Sequence, residues 1–154
     1  MLPFLVLIAA TITVRTMGAA GVRALDTWPK SLRLDLFVMF AVTASAHWGK
    51  RRPDLIAMVP TVFRRADLMV TITGILEIVG AAGLLLPVTA PIAAVCLIVL
   101  LIVIFPANVR ASRQHLTIGE RQATALPLRA LLQIVFIAAL VVAGFPRAFG
   151  LPAR

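Results

Sequence analysis

The sequence predicts an all-α protein, a polytopic transmembrane helical bundle, on three observations. Hydrophobic residues make up 61% of its 154 residues against 14% charged, with a mean hydropathy of +1.02, a balance too apolar for a soluble domain. Apolar stretches near the roughly 20 residues that a membrane-crossing helix needs recur between charged and proline-rich breaks. These stretches are too long and too unalternating for barrel strands, and lipid cannot satisfy the open edge of a sheet, which leaves helices. Residues 1–154 read as a single membrane domain without a linker or an internal repeat.

Five stretches emerge, at about 2–22, 32–48, 67–87, 92–109 and 127–145. The first, opening MLPFLVLIAATITV, has neither the positive n-region nor the small-residue cleavage site of a signal peptide and is expected to remain as an extra N-terminal helix. It carries Arg15. The second begins with Arg33 and Asp35 and closes at His47-Trp48. The third and fifth are the cleanest, with Glu77 and Gln133 well inside them. The fourth is shorter and ends in Pro106 and Asn108, where Asn108 is expected to cap a frayed helix end. Only Val88, Thr89 and Ala90 separate Pro87 from Pro91, so the third and fourth helices must form a tight antiparallel hairpin. The segments 23–31, 49–66 and 110–126 read as loops.

The net charge of +9 comes from basic residues clustered between the apolar stretches, where they act as topology signals and argue against nucleic acid as a partner. If each stretch crosses, the side holding 49–66 and 110–126 has nine Lys and Arg residues and the other side has six. The positive-inside rule then puts 49–66 and 110–126 in the cytoplasm, with the protein multi-pass in the inner, or plasma, membrane. The run 50–52 together with 64–65 is expected to face anionic headgroups. The single Cys96 excludes an intramolecular disulfide or a CxxC pair and reads as a small buried hydrophobe.

Ionisable groups within a span cost about 2.5 to 3.5 kcal/mol for a central aspartate, lysine or arginine, so each calls for a partner. Glu77 lies in TGILEIVGAAGLLLP, where it shares a helix face with Thr73, Gly74, Gly80 and Ala81, its neighbours at three and four residues. Small residues let another helix approach, so Glu77 is expected to point into the bundle. At about 1.5 Å per residue, Glu77 lies about 16 Å from the cytoplasmic end of its helix, Gln133 about 9 Å, and His47 and Asn108 close to the surface. These four form a candidate polar descent to the midplane. Arg15, about 20 Å deep, is a candidate partner for Glu77 or Asp35. Without a partner Glu77 would be neutral; paired with Arg15 it would stay charged. Gln133 reads as interhelical glue and His47-Trp48 as an interfacial anchor. The chain contains no HExxH, GxSxG or P-loop, and its two histidines, His47 and His115, do not suit a shared haem, so no metal site is expected.

The run MFAVTASAHWGKRRPDLIAMVP, followed by TGILEIVGAAGLLLP, AAVCLIVLLIVIFPANV and PLRALLQIVFIAALV, resembles the DoxX-like family of small integral membrane proteins over about residues 32–145. The shared pattern is a histidine-aromatic pair closing one helix, an MVP turn, a G-x-x-E-x-x-G helix, a proline-led hairpin, FPAN, and a last helix opening with a basic residue and a glutamine. Trp48 stands where phenylalanine is usual. The resemblance implies a four-helix core, here joined by the extra N-terminal helix, and draws attention to His47, Glu77, Pro106, Asn108 and Gln133. It also implies an accessory or quinone-proximal subunit of a membrane redox or stress-response complex, with quinone as the cofactor and a membrane oxidoreductase as the partner. The chain has no complete catalytic site of its own. Two other readings use the same residues: a non-enzymatic membrane chaperone or scaffold, and a small-molecule transporter.

Overall fold

The computed structural model describes residues 28–118, 121, 122 and 124–151, together with 5, 8, 9, 11, 12 and 16. Arg15 and most of the stretch 2–22 lie outside the described residues. From Trp28 onward the chain forms α1 (Trp28–Ser45), α2 (Arg52–Met58), α3 (Ala66–Leu85), α4 (Ala90–Arg113) and α5 (Leu126–Gly144), with a short 3-10 turn at Pro146–Phe149. Prolines open α2, α4 and α5 within their first two positions, where the missing N–H has no intrahelical partner to lose. The helices α3, α4 and α5 are long and apolar enough to cross a membrane, and with them the molecule is a helical-bundle membrane protein. In α1, Lys30, Arg33 and Asp35 occupy the first two turns of its 18 residues, and the apolar run begins at Leu36.

Four of the helices close a ring. Extensive interfaces join α1 to α3, α3 to α4 and α4 to α5, and a smaller one joins α5 back to α1. The short α2 packs on α3 and α4 at the end where α1 stops and α3 starts. At the opposite end the expected hairpin is present: the amide of Ala90 donates to Leu86 O at 2.9 Å, and Thr89 Oγ1 donates to Gly83 O at 2.7 Å. The segments 49–66 and 110–126 therefore lie at one end of the bundle, as an alternating up-and-down path requires.

Small residues set how closely the helices approach. Ala90, Ala93, Ala94 and Leu97 form a buried stripe on α4. A Cβ added at Gly80 of α3 would come within 2.7 Å of the Leu97 side chain, and one at Gly144 of α5 within 2.6 Å of the Ala94 Cβ. Backbones can come this near only where one partner has no side chain, the device that replaces the hydrophobic effect between helices in lipid.

Several expectations need correction. The helix containing Pro106 does not fray there: α4 runs through it to Arg113, because a proline removes one ladder bond without stopping a helix that its neighbours support. The helix stops instead at His115, a left-handed residue with φ 48°, after which Leu116 N donates to Ala111 O and His115 N to Ser112 O, closing the last turn. Asn108 is thus mid-helix and caps nothing. The segment 49–66 contains α2, and 110–126 contains a two-residue antiparallel ladder, Thr117–Ile118 with Arg121–Gln122. Arg33, near the start of α1, is 4% exposed, and its Nε donates to Ala143 O at 2.9 Å, filling a carbonyl that the end of α5 leaves open. Cys96 is exposed on the outer face of α4, not buried.

The contacts rank two substitutions. Gly144→Ala meets Ala94, which has no rotamer to yield, and is expected to destabilise the bundle by about 1–3 kcal/mol. Gly80→Ala meets the end of Leu97, which can turn, and should cost less. Unfolding of each variant in mixed micelles measures the order.

Candidate functional site

The end of the ring that carries α2 lines a half-open cavity of about 670 Å³, the size of a small-molecule pocket. Its wall is mainly apolar: Met39 and Phe40 from α1, Met58 from α2, Phe63 from the loop after it, Met69 from α3 and Phe136 from α5 all line it. Every methionine from Trp28 onward faces this space. Thioethers are soft and adaptable, which suits a space that accommodates an apolar guest. The polar side chains on the wall include Thr43, His47, Thr73, Glu77 and Asn108.

Glu77 is the deepest ionisable group of this set, with its side chain only 14% exposed. It is met by the last turns of α1. Thr43 Oγ1 makes a short hydrogen bond to Glu77 Oε1 and also lies 3.0 Å from Phe40 O. A hydroxyl has one hydrogen to give. When Glu77 is a carboxylate, Thr43 donates to it; when Glu77 carries a proton, its own O–H donates to Thr43, whose hydrogen turns to the Phe40 carbonyl. One hydroxyl rotation therefore accommodates either state of the acid.

His47 completes the cluster. Its Nδ1 is 3.2 Å from Ala44 O and 3.7 Å from Glu77 Oε2. A carbonyl only accepts, so the Nδ1–H tautomer satisfies the Ala44 contact and turns the same N–H edge toward the carboxyl. Gly74 makes the approach possible, since a Cβ there would lie 2.7 Å from the His47 ring and 2.9 Å from the Trp48 indole. Arg52 then ties the turn to α3: it donates to His47 O at 2.7 Å, to Thr71 Oγ1 at 2.9 Å and to Asp67 O at 3.1 Å.

The remaining candidates divide. Thr73 lines the cavity but spends its hydroxyl on its own helix, at Met69 O and Val70 O. Asn108 lines the cavity too, and its Oδ1 accepts from Arg129 Nη1 at 2.7 Å, tying α4 to α5. Gln133 does not reach the cluster; its Nε2 donates to Leu101 O at 3.2 Å, in the turn of α4 that Pro106 loosens. Pro106 itself is on the cavity wall, and Gly80 and Pro87 serve the α3–α4 contact and hairpin instead. The pairing of Arg15 with Glu77 or Asp35 falls outside the described residues. Sequence reasoning missed Thr43 as the partner of Glu77. The signal was Thr43 standing four residues before His47, hence on the same helix face. Among the described residues no cluster of His, Cys, Asp or Glu could hold a metal ion.

A family model described as a domain of unknown function (DUF8561) matches residues 36–143, from the apolar run of α1 to the end of α5. No curated protein matches the chain. No solved structure matches it either.

Thr43→Val leaves the Glu77 carboxyl without its closest partner and is expected to destabilise the protein by about 1–3 kcal/mol. Thr43→Ser keeps the hydroxyl and should stay within about 1 kcal/mol of the parent. Chemical unfolding in detergent of the two variants checks the difference.

Proposed function

We propose that this chain, which belongs to the DUF8561 family, works in the inner membrane as a quinone-proximal accessory subunit of a redox or stress-response complex, with the Glu77 cavity as its ligand site. The observation that carries the reading is the Glu77, Thr43 and His47 cluster on the wall of an otherwise apolar cavity of about 670 Å³. A quinone is a planar apolar body with carbonyl oxygens that need hydrogen-bond donors, and a protonated Glu77 carboxyl supplies one when its O–H turns from Thr43 toward the cavity. The hydroxyl of Thr43 lets Glu77 gain or lose a proton without repacking the helices. A four-helix ring is the architecture that the resemblance to DoxX-like proteins implies. A separate oxidoreductase would supply the electrons.

One observation favours a scaffold instead. Thr43 and His47 are both on or beside α1 and both meet Glu77 on α3, so the same groups fasten two helices together. Glu77→Gln separates the two roles. An amide keeps a hydrogen bond to Thr43 but cannot exchange a proton, so a scaffold would retain its function and a proton-handling site would lose it.

The test is binding of a short-chain ubiquinone analogue to the protein in lipid nanodiscs, with recovery of an oxidoreductase from native membranes. Binding with Glu77→Gln weakened at least about tenfold, or about 1.4 kcal/mol, is expected. Absence of both quinone binding and an oxidoreductase partner would overturn the proposal.

A further inference from the structure

Seven of the basic residues at the end that holds 49–66 and 110–126 fall into two groups. Arg52, Arg110 and Arg129 are spent inside the fold: Arg52 on the His47 turn and Thr71, Arg110 on Val59 O at 2.9 Å and Gln114, and Arg129 on Asn108 and Thr124 O. Lys50, Arg51, Arg64 and Arg65 are exposed. Two of these four, Lys50 and Arg51, also line the cavity that runs inward to Glu77. Beside them Trp48 is 48% exposed, Val62 79% and Phe63 50%, a composition that belongs at the boundary between headgroups and acyl chains.

We infer that the rim of this cavity is a binding site for an anionic phospholipid of the surrounding bilayer, its headgroup phosphate held by Lys50 and Arg51 and one acyl chain lying in the methionine-lined and phenylalanine-lined space. Charge complementarity selects the head. Neighbouring cations at a membrane surface attract anionic lipid, and Arg64 and Arg65 add to the field without lining the cavity. The apolar wall selects the tail: Met39, Met58, Met69 and Phe63 offer no hydrogen bond and tolerate a flexible chain. Val42 and Val103 line the same cavity yet are 38% and 65% exposed, so its wall is open at the side of the bundle where lipid lies. The lipid would share the apolar part of this cavity with a quinone, but its head is held by the rim cations Lys50 and Arg51, which the quinone reading does not use.

The experiment compares retention of phosphatidylglycerol and phosphatidylcholine by the full chain, delivered from nanodiscs and read by native mass spectrometry. Preferential retention of phosphatidylglycerol is expected, and Lys50→Gln with Arg51→Gln should weaken it about thirty-fold at low salt. Arg64→Gln with Arg65→Gln should weaken it clearly less, and glycerol phosphate, a head without a chain, should not displace the lipid. Lys50→Gln with Arg51→Gln should keep quinone binding while losing the lipid, so the two readings fail separately. Equal retention of the two lipids overturns the inference. So does an equal loss in the two double variants, which would mean surface charge alone, or displacement by glycerol phosphate, which would mean a headgroup contact without a chain.

Discussion

A carboxyl group set about 16 Å along a membrane helix must find its hydrogen bonds within the protein, because lipid offers none. Much of the bundle is arranged around that requirement. Glu77 obtains Thr43 and the His47 edge from α1, and for those side chains to arrive, α3 must give up volume at Gly74. The close approach of α1 and α3 fixes where the His47 turn lies, and that turn in turn fixes Arg52, whose guanidinium bridges to Thr71 and Asp67 O. One buried polar group thus propagates into the position of α2 and the rim of the cavity.

At the hairpin end the helices meet mainly by shape. The stripe of Ala90, Ala93 and Ala94 on α4 meets glycines on α3 and α5, and dispersion between near backbones holds what the hydrophobic effect cannot hold in lipid. Large apolar residues such as Val79, Ile92, Val103 and Ile134 point outward, an inside-out arrangement that makes sense only in a bilayer. The cytoplasm-assigned end adds a third kind of tie. Arg52, Arg110 and Arg129 reach carbonyls and amide oxygens across element boundaries, so these arginines act as fasteners there while Lys50, Arg51, Arg64 and Arg65 stay at the surface.

How much of this was legible in the sequence varied with the range of the interaction. The hairpin at Pro87 and Pro91 could be read because two prolines a few residues apart leave no other path. The inward turn of Glu77 could be read because a helix puts residues three and four apart on one face. Asn108 was misread because proline usually ends helices in water, whereas in a bundle the neighbouring α5, through Gln133 at Leu101 O and Arg129 at Asn108, supports the helix past it. The partner of Arg33 could not be read, because local sequence shows a charge near a helix start and not the open carbonyl of Ala143, 110 residues away, that receives it.

By itself, then, the sequence determined a membrane-spanning helical class, the order and approximate limits of the four long helices from Trp28 onward, and the presence of a polar group that had to be accommodated at depth. These follow from period, length and transfer cost, all properties of a segment in a solvent. Only the tertiary structure decided which groups meet Glu77, that Gln133 serves a helix contact instead of the cavity, that α2 covers one end, and which arginines remain at the surface. Those outcomes depend on angles and distances between helices, which are set by small-residue contacts far apart in the chain and therefore have no signature in any single stretch of it.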